Sequence, residues 1–253
     1  MTKTISLLQW NIWCKQPIEA VIAAIKTWQP DIICIQECIE FQNKNTADQV
    51  ADSLGFYHVY SAAQHWQNSD TKSEQGNAIF SRFPIVASKS VFVQSEREKP
   101  ADGSDEGRTY LEAEIQIEDT TLTVATTHLS YSPQFEYTPK RAAEADKLAA
   151  LLKDKKESFI FTGDLNSPPS SPIFETICKI LKHVGPDMEQ PTWPTKPFDY
   201  HGWQEDELRW RIDYAFATPD IAIESAEIIS TDVSDHLPIL VTASLGERLP
   251  MRE

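Results

Sequence analysis

The stretch of sequence that decides the fold is Asp31-Ile32-Ile33-Cys34-Ile35-Gln36-Glu37. Its centre is an unbroken apolar run, which predicts a strand buried on both faces of its sheet, because no polar residue alternates with the apolar ones. In the preceding segment, residues 17–28, apolar residues at 18, 21, 22 and 25 predict a helix that Pro30 ends. An acid, Glu37, directly follows the buried strand.

Strands and helices are interleaved along the rest of the chain, with antiparallel hairpins between two rough halves. Further strands are predicted over residues 6–10, 56–61, 76–84, 85–94, 108–118, 121–129, 158–161, 210–217, 221–230 and 237–244. Further helices are predicted over residues 46–54, 141–152 and 172–181, and loops or irregular segments over 62–75, 95–107 and 189–208. This order predicts one α+β domain over residues 1–253, with sheet packed on sheet and helices outside.

The composition is that of a globular protein and narrows the choice of partners. Of the 253 residues, 41% are hydrophobic, which is enough for a substantial core. The formal net charge of −15 argues against a broad electrostatic grip on duplex DNA, because contacts of Lys and Arg with phosphates dominate that affinity. Phosphate substrates stay open, since bound divalent cations can reverse the local field.

The N-terminal residues and the cysteines indicate a cytoplasmic protein. Residues 1–10 have neither the apolar core nor the cleavage pattern of a signal peptide. No apolar run approaches the roughly 18 residues of a membrane span. The four cysteines lack paired zinc spacing, and Cys34 and Cys38 are expected to be buried thiols. We expect no stable membrane association, and a monomer.

Polar residues gather at the ends of four predicted strands. They are Gln9-Trp10-Asn11, Gln36-Glu37, Thr162-Gly163-Asp164-Leu165-Asn166 and Ser234-Asp235-His236. A further acid, Asp213, lies inside a strand, and a second histidine, His128, follows Thr127. This oxygen-rich set suits Mg²⁺ or Mn²⁺ rather than zinc. The sequence therefore predicts a site for one of these cations.

Each of these residues also has a purely structural interpretation. The alternatives are, in chain order, a cap for the helix at Pro17 (Asn11), a surface acid at a strand end (Glu37), a satisfied core histidine (His128), caps of the turn before Pro168 (Asp164 and Asn166), and an ion pair with Arg209 or Arg211 (Asp213). Any one of these is plausible alone. Taken together, these structural interpretations do not explain why the acids share a position at strand ends. We therefore favour the interpretation that these residues form a functional site.

A longer series of motifs, in a defined order, spans Trp10 to Ile239. The motifs are Asn11, Gln36-Glu37, Gly76-Asn77, Thr127-His128-Leu129, Gly163-Asp164-Leu165-Asn166, Arg211-Ile212-Asp213-Tyr214 and Ser234-Asp235-His236. The series resembles that of the endonuclease/exonuclease/phosphatase superfamily, whose fold is similar to pancreatic deoxyribonuclease I. The resemblance implies a four-layer αββα sandwich of the α+β class. It also implies divalent-metal-dependent cleavage of a phosphate ester, with Mg²⁺ or Mn²⁺ as cofactor.

The resemblance further implies a metal-binding group. Glu37 would bind the metal, with Asn11 and Asp235 close to the ion or ions. The bound cation would stabilise negative charge on the pentacoordinate phosphorus.

The resemblance assigns the remaining motif residues to catalysis. Asp164 and Asn166 would hold the attacking water and a phosphate oxygen. His236 would be the general base or a phosphate-binding imidazole, held in orientation by Asp213. His128 would donate a hydrogen bond to the phosphoryl oxygen or assist the leaving group.

Two departures bear on the substrate. Trp13 stands where the abasic-site endonuclease branch of the family usually has an acid, and His128 stands where that branch has tyrosine. The chain therefore looks more like the branches that have this histidine. Substrate contacts are expected from Asn77, from Arg108 through a phosphate, and from Trp203 by stacking on a base or sugar. Arg108 could also be a surface residue and Trp203 could be packed locally.

Three functions are compatible with these patterns. The favoured one is a metal-dependent phosphodiesterase that acts on nucleic acid or on a small phosphodiester. The second is a phosphomonoesterase that acts on a small phosphorylated metabolite or a lipid headgroup. The third is a binding module that kept the fold and lost catalysis. The full set of acids and histidines speaks against the third.

Overall fold

The computed structural model describes residues 3–42, 44–68, 71–95, 107–200 and 202–246. Its elements, in chain order, are β1 (Lys3–Asn11), α1 (Ile18–Trp28), β2 (Ile32–Phe41), β3 (Lys44–Asn45), α2 (Thr46–Leu54), β4 (Tyr57–Asn68), β5 (Thr71–Ser81), β6 (Ile85–Gln94), β7 (Arg108–Ile117), β8 (Thr120–His128), α3 (Pro139–Leu152), β9 (Phe159–Asp164), α4 (Pro172–Cys178), β10 (Lys182–His183), β11 (Phe198–Tyr200), β12 (Trp203–Glu205), β13 (Asp213–Ala217), β14 (Ala222–Ile228) and β15 (Ile239–Leu245). A short 3₁₀ turn covers Pro133–Phe135.

Two sheets form the centre of the fold. The first has the strand order β14-β15-β1-β2-β5-β4, with β3 paired to β2. The second has the order β10-β13-β9-β8-β7-β6, and β11 pairs with β12 in a separate hairpin. Each large sheet contains one parallel pair, β1 with β2 and β8 with β9. Each parallel pair therefore has two carboxyl ends at the same edge of its sheet.

The apolar run of β2 is buried on both faces, as its sequence predicts. Ile32 and Cys34 pack into the core between the two sheets. Ile33 and Ile35 point the other way, into a core that also contains Val21 of α1 and residues of α2. Because side chains alternate across a strand, a continuous apolar run supplies both faces at once.

The outer layers are helical. The helices α1 and α2 cover the first sheet, and α3 and α4 cover the outer face of the second sheet, where Leu148 and Ile173 pack with Phe159 and Phe161. The order of layers is helix, sheet, sheet, helix. The predicted four-layer αββα fold is thus confirmed. No helix in the described part of the chain is long and apolar enough to span a membrane.

Local capping explains where the helices begin. The side chain of Asn45 accepts a hydrogen bond from the backbone N–H of Ala47 at the start of α2. The Thr138 hydroxyl accepts one from the backbone N–H of Arg141 at the start of α3. Such caps satisfy donors that a helix leaves without partners in its first turn.

The structure corrects several of the predicted segments. The segment 189–208, predicted as irregular, contains the short paired strands β11 and β12. Residues 62–75 belong mainly to β4 and β5, which continue as a long hairpin instead of a loop. Backbone pairing with the partner strand, and not apolar alternation, holds these residues extended. The predicted helix over 172–181 ends at Cys178. The predicted strand over 210–217 begins only at Asp213, after an isolated bridge between Trp193 and Trp210. Of the predicted loop 95–107, residues 96–106 lie outside the described residues.

Candidate active site

The predicted site residues meet because the parallel strand pairs end at the same place. Asn11 lies opposite Gln36 at the end of the β1–β2 pair. His128 lies opposite Asp164 at the end of the β8–β9 pair. Asp213, the first residue of β13, pairs with Asp164 from the other side. Residues more than 200 positions apart in the chain thus share one edge of the sandwich.

An irregularity in β2 directs Glu37 into the site. The register between β2 and β5 shifts between Ile35 and Cys38, and Glu37 has a left-handed backbone with φ of 63°. Such bulges turn a side chain away from the regular alternation of the strand. The carboxylate accepts hydrogen bonds from the Asn11 side-chain amide at 3.2 Å and from the backbone N–H of Cys14 at 3.1 Å. Because of these contacts, Glu37 is not simply a surface acid at a strand end.

Asp164 is a buried carboxylate at the centre of the site. Its Oδ1 accepts a hydrogen bond from the backbone N–H of Asn166 at 2.8 Å, and its Oδ2 accepts one from the Asn11 amide at 3.0 Å. Asn11 therefore links Asp164 to Glu37 and does not cap α1. Burial, followed by the nearby charge of Asp213, raises the pKa of Asp164 to about 7.

His236 and Asp213 form a buried pair. His236 Nδ1 lies 2.9 Å from Asp213 Oδ2, and His236 Nε2 lies 3.7 Å from Asp164 Oδ2. Burial alone lowers the pKa of His236, but the negative charges of Asp213, Asp235 and Asp164 outweigh it and raise this pKa to about 10. The imidazole is therefore protonated at neutral pH.

The proposed ion pair of Asp213 with an arginine is wrong. The Arg211 guanidinium donates to backbone carbonyl oxygens, including that of Asp213. Arg209 pairs with Glu205 at 2.7 Å. The carboxylate of Asp213 is thus left for His236.

Three side chains hold the loop that carries His236. The Trp10 indole N–H donates to the carbonyl oxygen of His236 at 2.9 Å, and the Ser234 hydroxyl donates to the carbonyl of Asn11 at 2.8 Å. The Trp193 indole N–H donates to Asp235 Oδ2 at 3.2 Å. Burial raises the pKa of Asp235. The sequence offers Trp193 only as an aromatic residue of an irregular segment, and that segment has no periodic pattern from which its contact with Asp235 could be predicted.

His128 lies next to Asn166 and Asp164. Its Nε2 is 3.1 Å from the Asn166 side-chain nitrogen and 3.5 Å from Asp164 Oδ2. Burial first, and then the positive charges of Arg108 and His236, lower the pKa of His128 well below its ordinary value. The ring is therefore neutral at neutral pH. Asn166 has a left-handed backbone, with φ of 46°, and its amide contacts this ring and donates to the carbonyl oxygen of Leu129.

A small cleft with room for about one water molecule adjoins this site. Its lining residues are Glu37, Gln64, Gln75, Asn77, Arg108 and His128. The Asn77 amide donates to the carbonyl oxygen of Thr109 at 2.9 Å, which ties β5 to β7. Arg108 is only 5% exposed and so is not a surface arginine. Asn77 and Arg108 thus lie in one cleft with Glu37 and His128, and their contact with substrate stays a prediction.

Trp203 lies in a different environment. It is buried in an aromatic cluster and stacks on Tyr131, with ring centroids 6.0 Å apart. It also packs against Trp193, whose ring lies 6.2 Å from that of His236. The structure therefore shows the local packing that the sequence left open, although an edge of Trp203 lines an outer cleft with Arg209 and Trp210. A substrate contact of Trp203 stays a prediction.

The chemistry of the site fits a divalent cation. Ligand atoms of Asp164, Asp213 and His236 all lie within 4.8 Å of one another. Because the protonated His236 has no free lone pair, the candidate oxygen ligands are those of Glu37 and Asn11, which lie next to Asp164. Within the described residues, Asp213 Oδ1 is buried without a hydrogen-bond partner. Buried carboxylates of this density are stable when a cation or hydrogen bonds compensate their charge. Carboxylate and amide oxygens are the ligands that Mg²⁺ and Mn²⁺ prefer.

The four-layer fold and the buried acid–histidine centre at the sheet edge define a deoxyribonuclease I-like protein. A model of the Endonuclease/Exonuclease/phosphatase family matches residues 8–236, and the chain belongs to this family. No curated protein matches the sequence.

Solved structures share the fold at low sequence identity. An endonuclease/exonuclease/phosphatase from Beutenbergia cavernae DSM 12333 is similar with a TM-score of 0.75 and 19% identity, over 96% of this chain and 72% of that one. D. rerio TDP2, complexed with a single-strand DNA product, has a TM-score of 0.69 and 16% identity, over 95% and 99%. A mannosyl-6-phosphatase from Bacteroides thetaiotaomicron VPI-5482 has a TM-score of 0.66 and 17% identity, over 94% and 99%.

Proposed function

We propose that the protein is a phosphoesterase that hydrolyses a phosphodiester with the help of a divalent cation. The observation that carries this proposal is the contact of three groups at one point. A charged His236, oriented by Asp213, lies 3.7 Å from the carboxylate of Asp164. Hydrolysis of a phosphate ester needs a proton acceptor for water and a positive charge for the phosphoryl oxygens, and this arrangement supplies both.

Asp164 is the residue best suited to accept a proton from the attacking water. Its pKa of about 7 places it close to neutral pH, where a general base works best. Its Oδ1 is held by the backbone N–H of Asn166, so the carboxylate cannot rotate freely. The side-chain amide of Asn166 also contacts His128, so Asp164 and His128 are held in fixed positions relative to each other.

His236 is suited to bind the phosphoryl oxygens. With a pKa of about 10 it carries a proton at neutral pH, which favours the phosphate-binding role over that of a general base. Asp213 accepts from Nδ1, so the proton on Nε2 lies on the side of the ring that faces Asp164. His128 is neutral and accepts from the Asn166 amide through Nε2, which leaves Nδ1–H as its donor. A neutral ring with one N–H can donate a hydrogen bond to a phosphoryl or leaving-group oxygen.

Glu37, with Asn11 and Asp235 next to it, would hold the cation. Its side chain is less buried than those of Asp164 and Asp213, and it lines the small cleft. When bound, Mg²⁺ or Mn²⁺ neutralises negative charge on the phosphoryl group. Family membership supports this dependence on a metal.

A phosphomonoesterase is the alternative. The structural similarity to a mannosyl-6-phosphatase favours it, as the similarity to TDP2 with its DNA product favours a diesterase. The net charge of −15 favours a small substrate over duplex DNA in either case.

A substrate panel tests the proposal. Purified protein is incubated with Mg²⁺, Mn²⁺ or a chelator and with bis-p-nitrophenyl phosphate, p-nitrophenyl phosphate, single- and double-stranded DNA, and RNA. We expect metal-dependent turnover of the diester, and a preference for the monoester would establish the alternative. If neither metal supports turnover of any ester, the enzyme assignment fails.

A pair of variants tests the role of Glu37. Glu37→Ala is expected to lose about 10²-fold or more of the metal-dependent rate. Glu227→Ala, which removes an exposed acid on β14, is the matched control and should retain the wild-type rate. Equal rates in both variants would overturn the assignment of Glu37.

A further inference from the structure

A second cleft shares Glu37 with the site and is much larger than the first. Its volume is about 190 Å³, and it lies between the loop after β1, the end of β2 and the start of α2. A cavity of about 150 Å³ is enough to hold a benzene ring. The second cleft therefore has room for one ring directly beside Glu37.

Apolar side chains form most of the walls of this second cleft. They are Ile12, Trp13, Ile18, Ile39 and Phe41. Phe41 is 44% exposed, and Trp13, Ile18 and Ile39 are half-buried. A single exposed apolar residue is ordinary on a protein surface, but several that line one concave opening are typical of a ligand site.

The wall at Trp13 is strained and is tied to the candidate metal residues. Trp13 has a left-handed backbone with φ of 51°, which is rare for a bulky side chain and costs free energy. Its backbone N–H donates to Asn11 Oδ1 at 3.1 Å, and the N–H of Cys14 donates to Glu37 Oε2 at 3.1 Å. Residues strained in this way persist where neighbouring contacts hold them, and they cluster at binding sites. Asn11 and Glu37 thus fix the wall of the second cleft as well as the expected position of the cation.

A few polar groups on the α2 side complete the lining. The side-chain nitrogen of Gln49 donates to the carbonyl oxygen of Asn45 at 3.3 Å, which leaves the amide oxygen of Gln49 as an acceptor. Thr46 Oγ1 accepts from the backbone N–H of Ile39 at 3.3 Å and still carries a proton to donate. An occupant with apolar faces and a polar edge would match this lining.

The lining discriminates among the alcohol parts that a phosphate ester can have. A sugar would bring hydroxyl groups against the apolar walls, where each hydroxyl without a partner costs free energy. A flexible alkyl chain would lose conformational freedom and could not stack on a ring. A planar aromatic ring buries its faces against apolar side chains and stacks favourably on Trp13 or Phe41. The lining therefore favours an aromatic ring.

We propose that the second cleft binds a planar aromatic ring that the ester substrate carries next to its phosphate. The inference rests on the proposed function for the position of the phosphate at Glu37. It adds the class of substrate and assigns Trp13 and Phe41 as residues that determine specificity. A nucleobase and a phenyl group share this chemistry, and the ligands below distinguish them.

Phosphonates test the second cleft without relying on turnover, because a phosphoesterase does not cleave their carbon–phosphorus bond. Titration calorimetry with Mg²⁺ present measures the binding of phenylphosphonate, cyclohexylphosphonate and methylphosphonate. Phenylphosphonate should bind about tenfold or more tightly than methylphosphonate, because its ring is buried. It should bind about threefold or more tightly than cyclohexylphosphonate, because only a flat ring stacks. Equal affinity of phenylphosphonate and either of the other two ligands would overturn the proposal.

A nucleotide identifies the source of the ring. Adenosine 5′-monophosphate and ribose 5-phosphate are measured in the same way. A nucleobase is the natural occupant if adenosine 5′-monophosphate binds more tightly than both ribose 5-phosphate and phenylphosphonate. A phenyl group is the natural occupant if phenylphosphonate binds more tightly than the nucleotide.

Variants of Phe41 assign the preference to the second cleft. Phe41→Ala should reduce the ratio of the affinities for phenylphosphonate and methylphosphonate about threefold or more. Phe41→Tyr keeps a ring at this position and should retain the ratio. Phe92→Ala is the matched control, because Phe92 is 42% exposed and lies on β6, outside the lining. An unchanged ratio in Phe41→Ala, or an equal fall in Phe92→Ala, would refute the assignment.

The two kinds of measurement separate this inference from the proposed function. If the wild-type protein hydrolyses no phosphate ester but still prefers phenylphosphonate, the proposed function fails and the ring-binding cleft stands. If it hydrolyses esters and binds the three phosphonates equally, the ring-binding cleft fails and the proposed function stands.

Discussion

Replacing Asp164 by asparagine should stabilise the metal-free protein at alkaline pH. The pKa of this carboxyl is about 7 in the folded protein against an ordinary 3.8. Above pH 7 the group is ionised in both the folded and the unfolded chain, so the folded state bears the full penalty. At about 1.36 kcal/mol per pH unit, a difference of about 3 units corresponds to about 4 kcal/mol.

The asparagine amide offsets part of this gain. Asp164 Oδ2 accepts from the Asn11 amide, so a side-chain nitrogen introduced in place of that oxygen would face another donor unless one amide rotates. A mismatch of this kind costs about 1 to 3 kcal/mol. The net gain expected for Asp164→Asn at pH 8 is therefore about 1 to 3 kcal/mol.

The stability gained in Asp164→Asn should depend on pH. Because the folded pKa is raised, the folded state binds the proton more tightly, and the penalty shrinks as the pH falls from 7 towards 3.8. At pH 5 it is only about 2 kcal/mol, which the amide mismatch cancels. Urea unfolding in a chelator at pH 8 and at pH 5 measures both values. Asp232→Asn, at an exposed position, is the control and should show no such gain.

Two results would refute this reasoning. One is an Asp164→Asn variant that is no more stable than wild type at pH 8. The other is a gain of the same size at pH 5, which would show that the stabilisation does not come from the charge of Asp164.

Three further predictions concern the site and the strands beside it. Asp213→Asn should lower the pKa of His236 in the metal-free protein, because the substitution removes the negative charge that raises this pKa. NMR titration of the His236 ring measures the shift, and an unchanged pKa would contradict the pairing of His236 with Asp213. Glu37→Gln should abolish most of the rise in melting temperature that Mg²⁺ gives wild type, and a retained rise would place the cation elsewhere. Gly76→Ala should lower the free energy of unfolding, measured by urea unfolding, by about 1 to 3 kcal/mol, because the added Cβ would lie 1.9 Å from the Ser61 carbonyl oxygen. An unchanged free energy would show that β4 can shift to make room for the methyl group.

The sequence predicts the architecture well where apolar patterns are strong. The run Ile32–Ile35 specifies a strand covered on both faces, and the structure places it between two layers of packing. The hairpin at 62–75 was predicted wrongly as a loop, because its strands are held by backbone pairing and carry polar side chains. No pattern of hydrophobicity reports that kind of pairing.

The site is predictable in its members and less so in its connections. Strand ends carry the acids, so Glu37, Asp164 and Asp235 stand out in the sequence. The bridge from Asn11 to both Glu37 and Asp164 depends on the distance between two sheets, which the sequence does not contain. The same holds for the link between Trp193 and Asp235, 42 positions apart.

The measurement that tests the central claim most directly is the rate of bis-p-nitrophenyl phosphate hydrolysis by His236→Ala with Mg²⁺. The wild type and His65→Ala, a histidine on β4 whose side chain is 51% exposed, are measured alongside it. The charged His236 and its partner Asp213 are expected to supply about 10²-fold or more of the rate. A loss of that size in His236→Ala, with His65→Ala at the wild-type rate, is the predicted result. Equal rates in all three proteins would contradict the account.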